Sequence, residues 1–197
     1  VLKDLQLDEE KWPARQAASF INGNKEEGRR AKHIQHNGDL FTATQLRIYG
    51  AYEEICQRSG MIDFAEILLR SHELWLNHPE LLKHYQMRFR MILVDEFQDT
   101  NKIQYAWLRL LAGEHGMLTA VGDDDQSIYG WRGACIENIR TFQRDYADAE
   151  LIRLEQNYRS TSAILQAANA VIANNGDRLG KNLWTERPNG DPIRVYA

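Results

Sequence analysis

Up to Phe89 the apolar positions fall at helical spacing between charged ones, so this stretch predicts a group of amphipathic helices. Pro13 suits the first turn of a helix running through Phe20. A second helix starts at Thr42, carries Leu46, Tyr49 and Ile55 on one side, and stops at Ser59-Gly60. Asp63 caps a third whose apolar side is Ile67, Leu68, Leu74 and Trp75, and Asn77-His78-Pro79 breaks it. The pattern then changes: Met91-Ile92-Leu93-Val94 is a short unbroken apolar run, the mark of a strand buried on both faces. A helix capped near Thr100 follows, with Ile103, Trp107, Leu110 and Leu111 on its inner side. Next come a strand-like run from Leu118 to Val121, a helix from Cys135 to Tyr146, and a run from Leu151 to Leu154. A helix from Ser160 to Asn174 and a last run from Pro192 to Tyr196 complete the order. Alternating strand and helix predict an α/β fold with a parallel sheet, preceded by an N-terminal helical subdomain. The first residue is not methionine, and no helix covers the final predicted strand, so the chain is expected to be a piece of something larger.

Composition narrows this picture modestly. The 197 residues are 43% apolar and 10% aromatic, enough to bury a core. No apolar run approaches the roughly 20 residues of a membrane span, and Val1-Leu2-Lys3-Asp4 lacks the pattern of a secretion signal, so a cytoplasmic protein is expected. Cys56 and Cys135 are far apart and in no metal-ligand spacing, which predicts reduced, structural thiols. The net charge of −4 divides into 0 over residues 1–60, −6 over 61–150 and +2 over 151–197. A protein that held nucleic acid only by a broad basic face would be more basic than this, so any DNA binding is expected to use a local groove and base stacking.

Asp95 and Glu96 directly follow the first predicted strand, at the carboxyl edge where open α/β sheets place their ligands. An apolar strand ending in Asp-Glu suits a nucleotide hydrolase, in which the Asp helps hold Mg²⁺ and the Glu orients or deprotonates the attacking water. It is equally the polar end of an ordinary strand. Gln98 adds an amide able to link this edge to its neighbours. The second strand ends in Val121-Gly122-Asp123-Asp124-Asp125-Gln126-Ser127, whose successive carboxylates need solvent or a cation. Its Gln126 could reach a terminal phosphate. Downstream, Tyr129, Trp131 and Arg132 lie among glycines. Such a loop suits base stacking with a phosphate contact, or else Trp131 packs on the sheet.

Three strings resemble the UvrD/Rep family of superfamily 1 DNA helicases: Leu93 to Thr100, Gly122 to Ala134, and Arg153 to Thr161. Ile62 to Leu69 is similar to the family segment that returns from the helical subdomain. The resemblance covers nearly the whole chain and implies a partial RecA-like sheet of the P-loop NTPase type. It assigns residues 1–60 to the helical subdomain, 61–150 to part of a first RecA-like motor domain and 151–197 to the start of a second. It implies ATP and Mg²⁺ as cofactors, with Asp95 binding the metal, Glu96 activating water and Gln126 sensing the γ-phosphate. Tyr129 and Trp131 would stack on single-stranded bases, and Arg132 would link that track to the nucleotide. Tyr158 would stack on the adenine, and Arg159 would act as an arginine finger, a role that makes hydrolysis depend on domain closure. The implied activity is 3′-to-5′ movement on single-stranded DNA and unwinding of duplex, in repair or replication, with DNA-repair proteins as partners.

One departure matters. The family's phosphate-cradling Gly-x-x-x-x-Gly-Lys-Ser/Thr is absent from these residues, and Gly176 to Asn182 is no substitute. The chain by itself is therefore expected to hydrolyse ATP negligibly. His33, His36, His78 and His84 lack a completing ligand set, Lys25 to Lys32 is expected to be a solvated loop, and Trp75, Trp107 and Trp184 are expected to make packing contacts. Three rivals stay open: the motor of a helicase–nuclease subunit, a Mg²⁺-dependent phosphohydrolase or nuclease using Asp95, Asp123 and Asp125, and a catalytically silent DNA-binding module.

Overall fold

The computed structural model describes residues 1–36, 38–176 and 178–195. Four helices come first: α1 (Ala14–Glu26), α2 (Leu40–Ser59), α3 (Phe64–Asn77) and α4 (Pro79–Arg88). Strands β1 (Met91–Val94) and β2 (Met117–Ala120) flank α5 (Lys102–Ala112), and α6 (Glu137–Asp145) and α7 (Ser162–Ile172) follow. The strands pair in parallel, Met91 opposite Met117 and Val94 opposite Ala120.

Caps explain most helix boundaries. Asp39, three residues before the start predicted at Thr42, caps α2 by accepting N–H bonds from Phe41 and Thr42. Gly60 ends α2 at φ 63°, a left-handed conformation that side chains resist. Asp63 caps α3 through the Glu66 N–H, as expected. Asn101, next to Thr100 as expected, caps α5 and forms a reciprocal capping box with Gln104. Pro79 does more than break α3, because at the first position of α4 it needs no N–H partner and so opens a new helix. Helix α1 runs past Phe20 to Glu26.

Other expectations are corrected. Strand β1 is not buried on both faces: Met91 and Leu93 are exposed while Ile92 and Val94 are half-buried, and β2 alternates likewise. The described sheet has two strands and one covered face, so burial takes the period of two. Residues Leu151 to Leu154 form no strand, since no neighbouring strand takes up their backbone groups. Nearby, only the isolated parallel bridge between Gln156 and Trp184 forms. The run from Pro192 is irregular through Val195, and Tyr196 lies outside the described residues. Trp75 is buried, but Trp184 is 48% exposed, and its backbone anchors that segment through hydrogen bonds with Glu155 and Asn157. Cys56 and Cys135 are free thiols, as expected. Among the described residues no helix is long and apolar enough to cross a membrane.

The core between α1 and α2 is built on Leu2, Ala17 and Ile48, while α3 packs on α1 and α5. Here charge enters the interior. Lys25, expected in a solvated loop, is 1% exposed, with Nζ 2.6 Å from Asp63 and 2.8 Å from Glu66. Arg30 pairs with Glu53, Glu66 and Glu73, and Arg70 with Glu66. Helix α3 therefore turns Glu66, Leu69 and Trp75 inward and leaves Ile67 and Leu74 exposed, because the buried cations draw Glu66 in.

Burial pushes the Glu66 carboxyl up, but hydrogen bonds from Lys25, Arg70 and Arg30 outweigh this and bring it from 4.5 down to about 2. A depressed carboxyl contributes stability that is complete above its unfolded value and lost as pH falls through the folded one. The melting temperature is therefore expected to fall steeply between about pH 4.5 and about pH 2. Thermal melts across that window check this, and Glu66→Gln should flatten the acid dependence as well as lower stability at neutral pH.

Candidate functional site

Parallel pairing sets the carboxyl ends of β1 and β2 side by side. Val121 donates its N–H to the Val94 carbonyl at 2.7 Å, and Phe97 donates to the Val121 carbonyl at 2.9 Å. Asp95 and Glu96 leave β1 there, both exposed. The Glu96 N–H donates to Asp95 Oδ1 at 2.9 Å. Glu96 itself adopts φ 51° and ψ 43°, a left-handed backbone that costs a non-glycine residue roughly 1 kcal/mol or more and persists only where the surroundings hold it.

Gln98 belongs to those surroundings. It is 1% exposed, its Nε2 donates to Glu96 Oε2 at 2.7 Å, and its Oε1 accepts the Asp123 N–H at 2.9 Å. Gly122 makes the approach possible, since a Cβ there would stand 2.8 Å from Gln98 Oε1. Asp123 in turn accepts the Asp125 N–H at 3.0 Å and the Gln126 amide at 2.7 Å. One chain of hydrogen bonds thus runs from Glu96 to Gln126.

The three carboxylates at 123–125 lie close enough together to share a cation, each offering an oxygen within 4.8 Å of the others. Basic side chains already serve two of them. Lys181 pairs with Asp123, Arg178 donates from Nε to Asp125 at 2.9 Å, and the Leu179 N–H donates to Asp124 at 2.7 Å. Burial pushes the Asp123 carboxyl up, yet Lys181 and Gln126 hold it below its ordinary range. Among the described residues no basic side chain pairs with Asp95 or Glu96. Asp95 is thus an exposed, acceptor-only carboxylate without a counter-charge, a group that can offer an oxygen to a hard cation. Lys181 and Arg178 were missed from the sequence. Their signal was there: successive carboxylates require counter-charge, and 151–197 is the segment with net positive charge.

The aromatic loop leaves the same turn. Trp131 is 74% exposed rather than packed on the sheet, and the Arg132 guanidinium lies 4.6 Å from its ring centre and 5.3 Å from that of Tyr129. The far end of the loop is stapled back to the site. Cys135 donates its N–H to the Thr100 carbonyl at 2.9 Å, and buried Asn138 donates to the same oxygen at 3.0 Å. Asn138 carried no signal in the sequence, because an amide two residues into a helix looks like any surface position.

Tyr158 and Arg159 are both exposed, and among the described residues their hydrogen bonds stay within residues 156–187. The Tyr158 hydroxyl donates to Gln156 at 2.8 Å, the Arg159 N–H donates to Asn157 at 2.9 Å, and Arg187 donates to the Arg159 carbonyl. The structure does not bring either side chain against Asp95, Glu96 or Gln126.

Residues 1–147 match the UvrD/REP helicase N-terminal domain, and residues 152–197 match the UvrD-like helicase C-terminal domain. The chain belongs to the UvrD/REP helicase family. Over its full length it is 61% identical to DNA helicase II of Escherichia coli K12 and 55% identical to that of Haemophilus influenzae. It is 43% identical to the ATP-dependent DNA helicase PcrA of Staphylococcus aureus Mu50. The chain spans about a quarter of the length of these relatives, 27% in each case. The boundary between the two family domains, at 147–152, precedes the segment that carries Tyr158, Arg159, Arg178 and Lys181.

Proposed function

We propose that this UvrD/REP family chain is part of the motor core of an ATP-driven DNA helicase, holding part of an ATP-hydrolysis site and part of a single-stranded-DNA track. In this proposal β1 and β2 belong to a RecA-like sheet, with residues 1–60 as a helical subdomain, 61–150 in a first motor domain and 151–197 opening a second. Asp95 would hold Mg²⁺, which when bound offsets phosphate charge. Glu96 takes a proton from or orients the attacking water, and Gln126 meets the γ-phosphate. Tyr158 stacks on the adenine, and Arg159 approaches the phosphates when the second domain closes. Arg132 carries the state of the DNA track to the nucleotide. The finer proposal is 3′-to-5′ movement and duplex unwinding in the cytoplasm, in DNA repair or replication alongside repair proteins.

The observation that carries this reading is the exposed Trp131, capped by Arg132, on a loop that springs from the turn hydrogen-bonded to Glu96 through Gln98. An indole held open to solvent beside a cation offers a face to any base. In the full-length protein, Trp131→Ala is expected to weaken single-stranded DNA binding by roughly 1–3 kcal/mol, similarly across sequences and nearly independently of salt. It should also blunt stimulation of ATP hydrolysis by DNA. Binding titrations and thermal melts on one preparation provide the check. A lower melting temperature with unchanged affinity per folded molecule would remove Trp131 from the track.

A further inference from the structure

Gln98 satisfies two groups that nothing else near it serves in the same way. It is buried, one end of its amide grips the Glu96 carboxylate at 2.7 Å, and the other accepts the Asp123 N–H at 2.9 Å. The side chain cannot be reversed without setting an acceptor against a carboxylate and a donor against an N–H, so its orientation is fixed by chemistry. The neighbouring backbone is shaped around it: Gly122 leaves the space its oxygen occupies, and Glu96 takes a left-handed conformation next to it. Filling space alone would call for neither the amide's polarity nor these accommodations.

We propose that Gln98 is a positioning residue for Glu96, fixing where the Glu96 carboxylate points by reference to the turn that carries Gln126 and the aromatic loop. This rests on the assignment of Glu96 to water activation. Gln98 does not itself reach the reacting atoms. It holds one carboxylate oxygen, leaving the other to face water, and it keeps that oxygen in register with the end of β2. A carboxylate that has to find its geometry at each turnover loses rate without losing substrate affinity.

Two substitutions in the full-length protein separate the amide's two ends. Gln98→Glu keeps an acceptor for the Asp123 N–H but removes the donor to Glu96. Gln98→Leu removes both. Gln98→Glu is expected to lower kcat at least tenfold with KM for ATP within twofold. Placed in a Glu96→Gln background, it should lower kcat no further, because the group it positions is already gone. Hydrogen exchange at the Asp123 amide provides a readout independent of turnover: faster in Gln98→Leu, unchanged in Gln98→Glu. An unchanged kcat in Gln98→Glu, or losses that multiply with Glu96→Gln, would overturn the proposal. If Glu96→Gln alone leaves kcat intact, the water-activation assignment fails first and Gln98 loses its role with it. Thermal melts on the same variants separate all of this from simple unfolding.

Discussion

Glu96→Gln in the full-length protein is expected to reduce kcat for ATP hydrolysis by on the order of a hundredfold or more while leaving ATP binding nearly intact. The substitution keeps the size and hydrogen-bonding reach of the side chain but removes its capacity to take a proton. Its partners survive it: a glutamine can still offer an oxygen to Gln98 Nε2, and Asp95 still accepts the residue 96 N–H. Asp95 retains its charge for a cation. The loss should therefore fall on the step in which water is activated, and steady-state kinetics with a nucleotide-binding titration separate the two. A rise in KM alone would withdraw Glu96 from the chemistry. Arg159→Ala should behave similarly only if the proposed second domain closes onto the phosphates, since among the described residues the exposed Arg159 is hydrogen-bonded only to Asn157 and Arg187.

The largest expected effect on stability lies elsewhere, at Lys25. Replacing it with methionine keeps the volume and removes one charge from a buried set of acids and bases. Asp63 would retain the Tyr52 hydroxyl and the Glu66 N–H, and Glu66 would retain Arg30 and Arg70, but both carboxylates would lose their closest buried cation. Breaking a buried pair from one side costs about 3–5 kcal/mol, because the remaining charge stays desolvated. For a chain of this size that corresponds to a fall in melting temperature on the order of 10 °C. Lys102→Met, which breaks an exposed pair with Glu27, is the control and should cost about 1 kcal/mol or less. Calorimetry on the two variants tests this, and equal small losses would mean that water reaches the Lys25 cluster.

The buried cluster and the strand-end site face the same problem of satisfying charge and solve it differently. Around Lys25 the acids are matched by bases from α1, the following segment and α3, so the charges hold helices together. At the strand ends the acidic turn is matched by Lys181 and Arg178, while Asp95 and Glu96 are left without a basic partner among the described residues. That difference leaves Asp95 and Glu96 without the counter-charge that Asp123 and Asp125 already have.

What the sequence by itself determined was whatever is settled within a few residues. The Asp63 cap, the stop at Gly60 and the strand ending in Asp95-Glu96 all follow from neighbours at short range, as does the aromatic loop from Tyr129 to Arg132. Each was legible because its physical cause, a cap bond, a left-handed residue or an apolar run, lies inside the window being read. What only the tertiary structure decided was which distant groups meet. Gln98 and Asp123 are 25 apart in the chain, Lys25 and Asp63 are 38 apart, Arg178 and Asp125 are 53 apart, and Lys181 and Asp123 are 58 apart. A lysine in a mixed-charge stretch has the same local pattern whether it ends in solvent or in the core. The same holds for a strand such as β1, whose apolar run cannot say how many of its faces are covered. Pairing of charge and covering of faces depend on the free energy of whole elements packing together, and that is decided only when the chain has closed on itself.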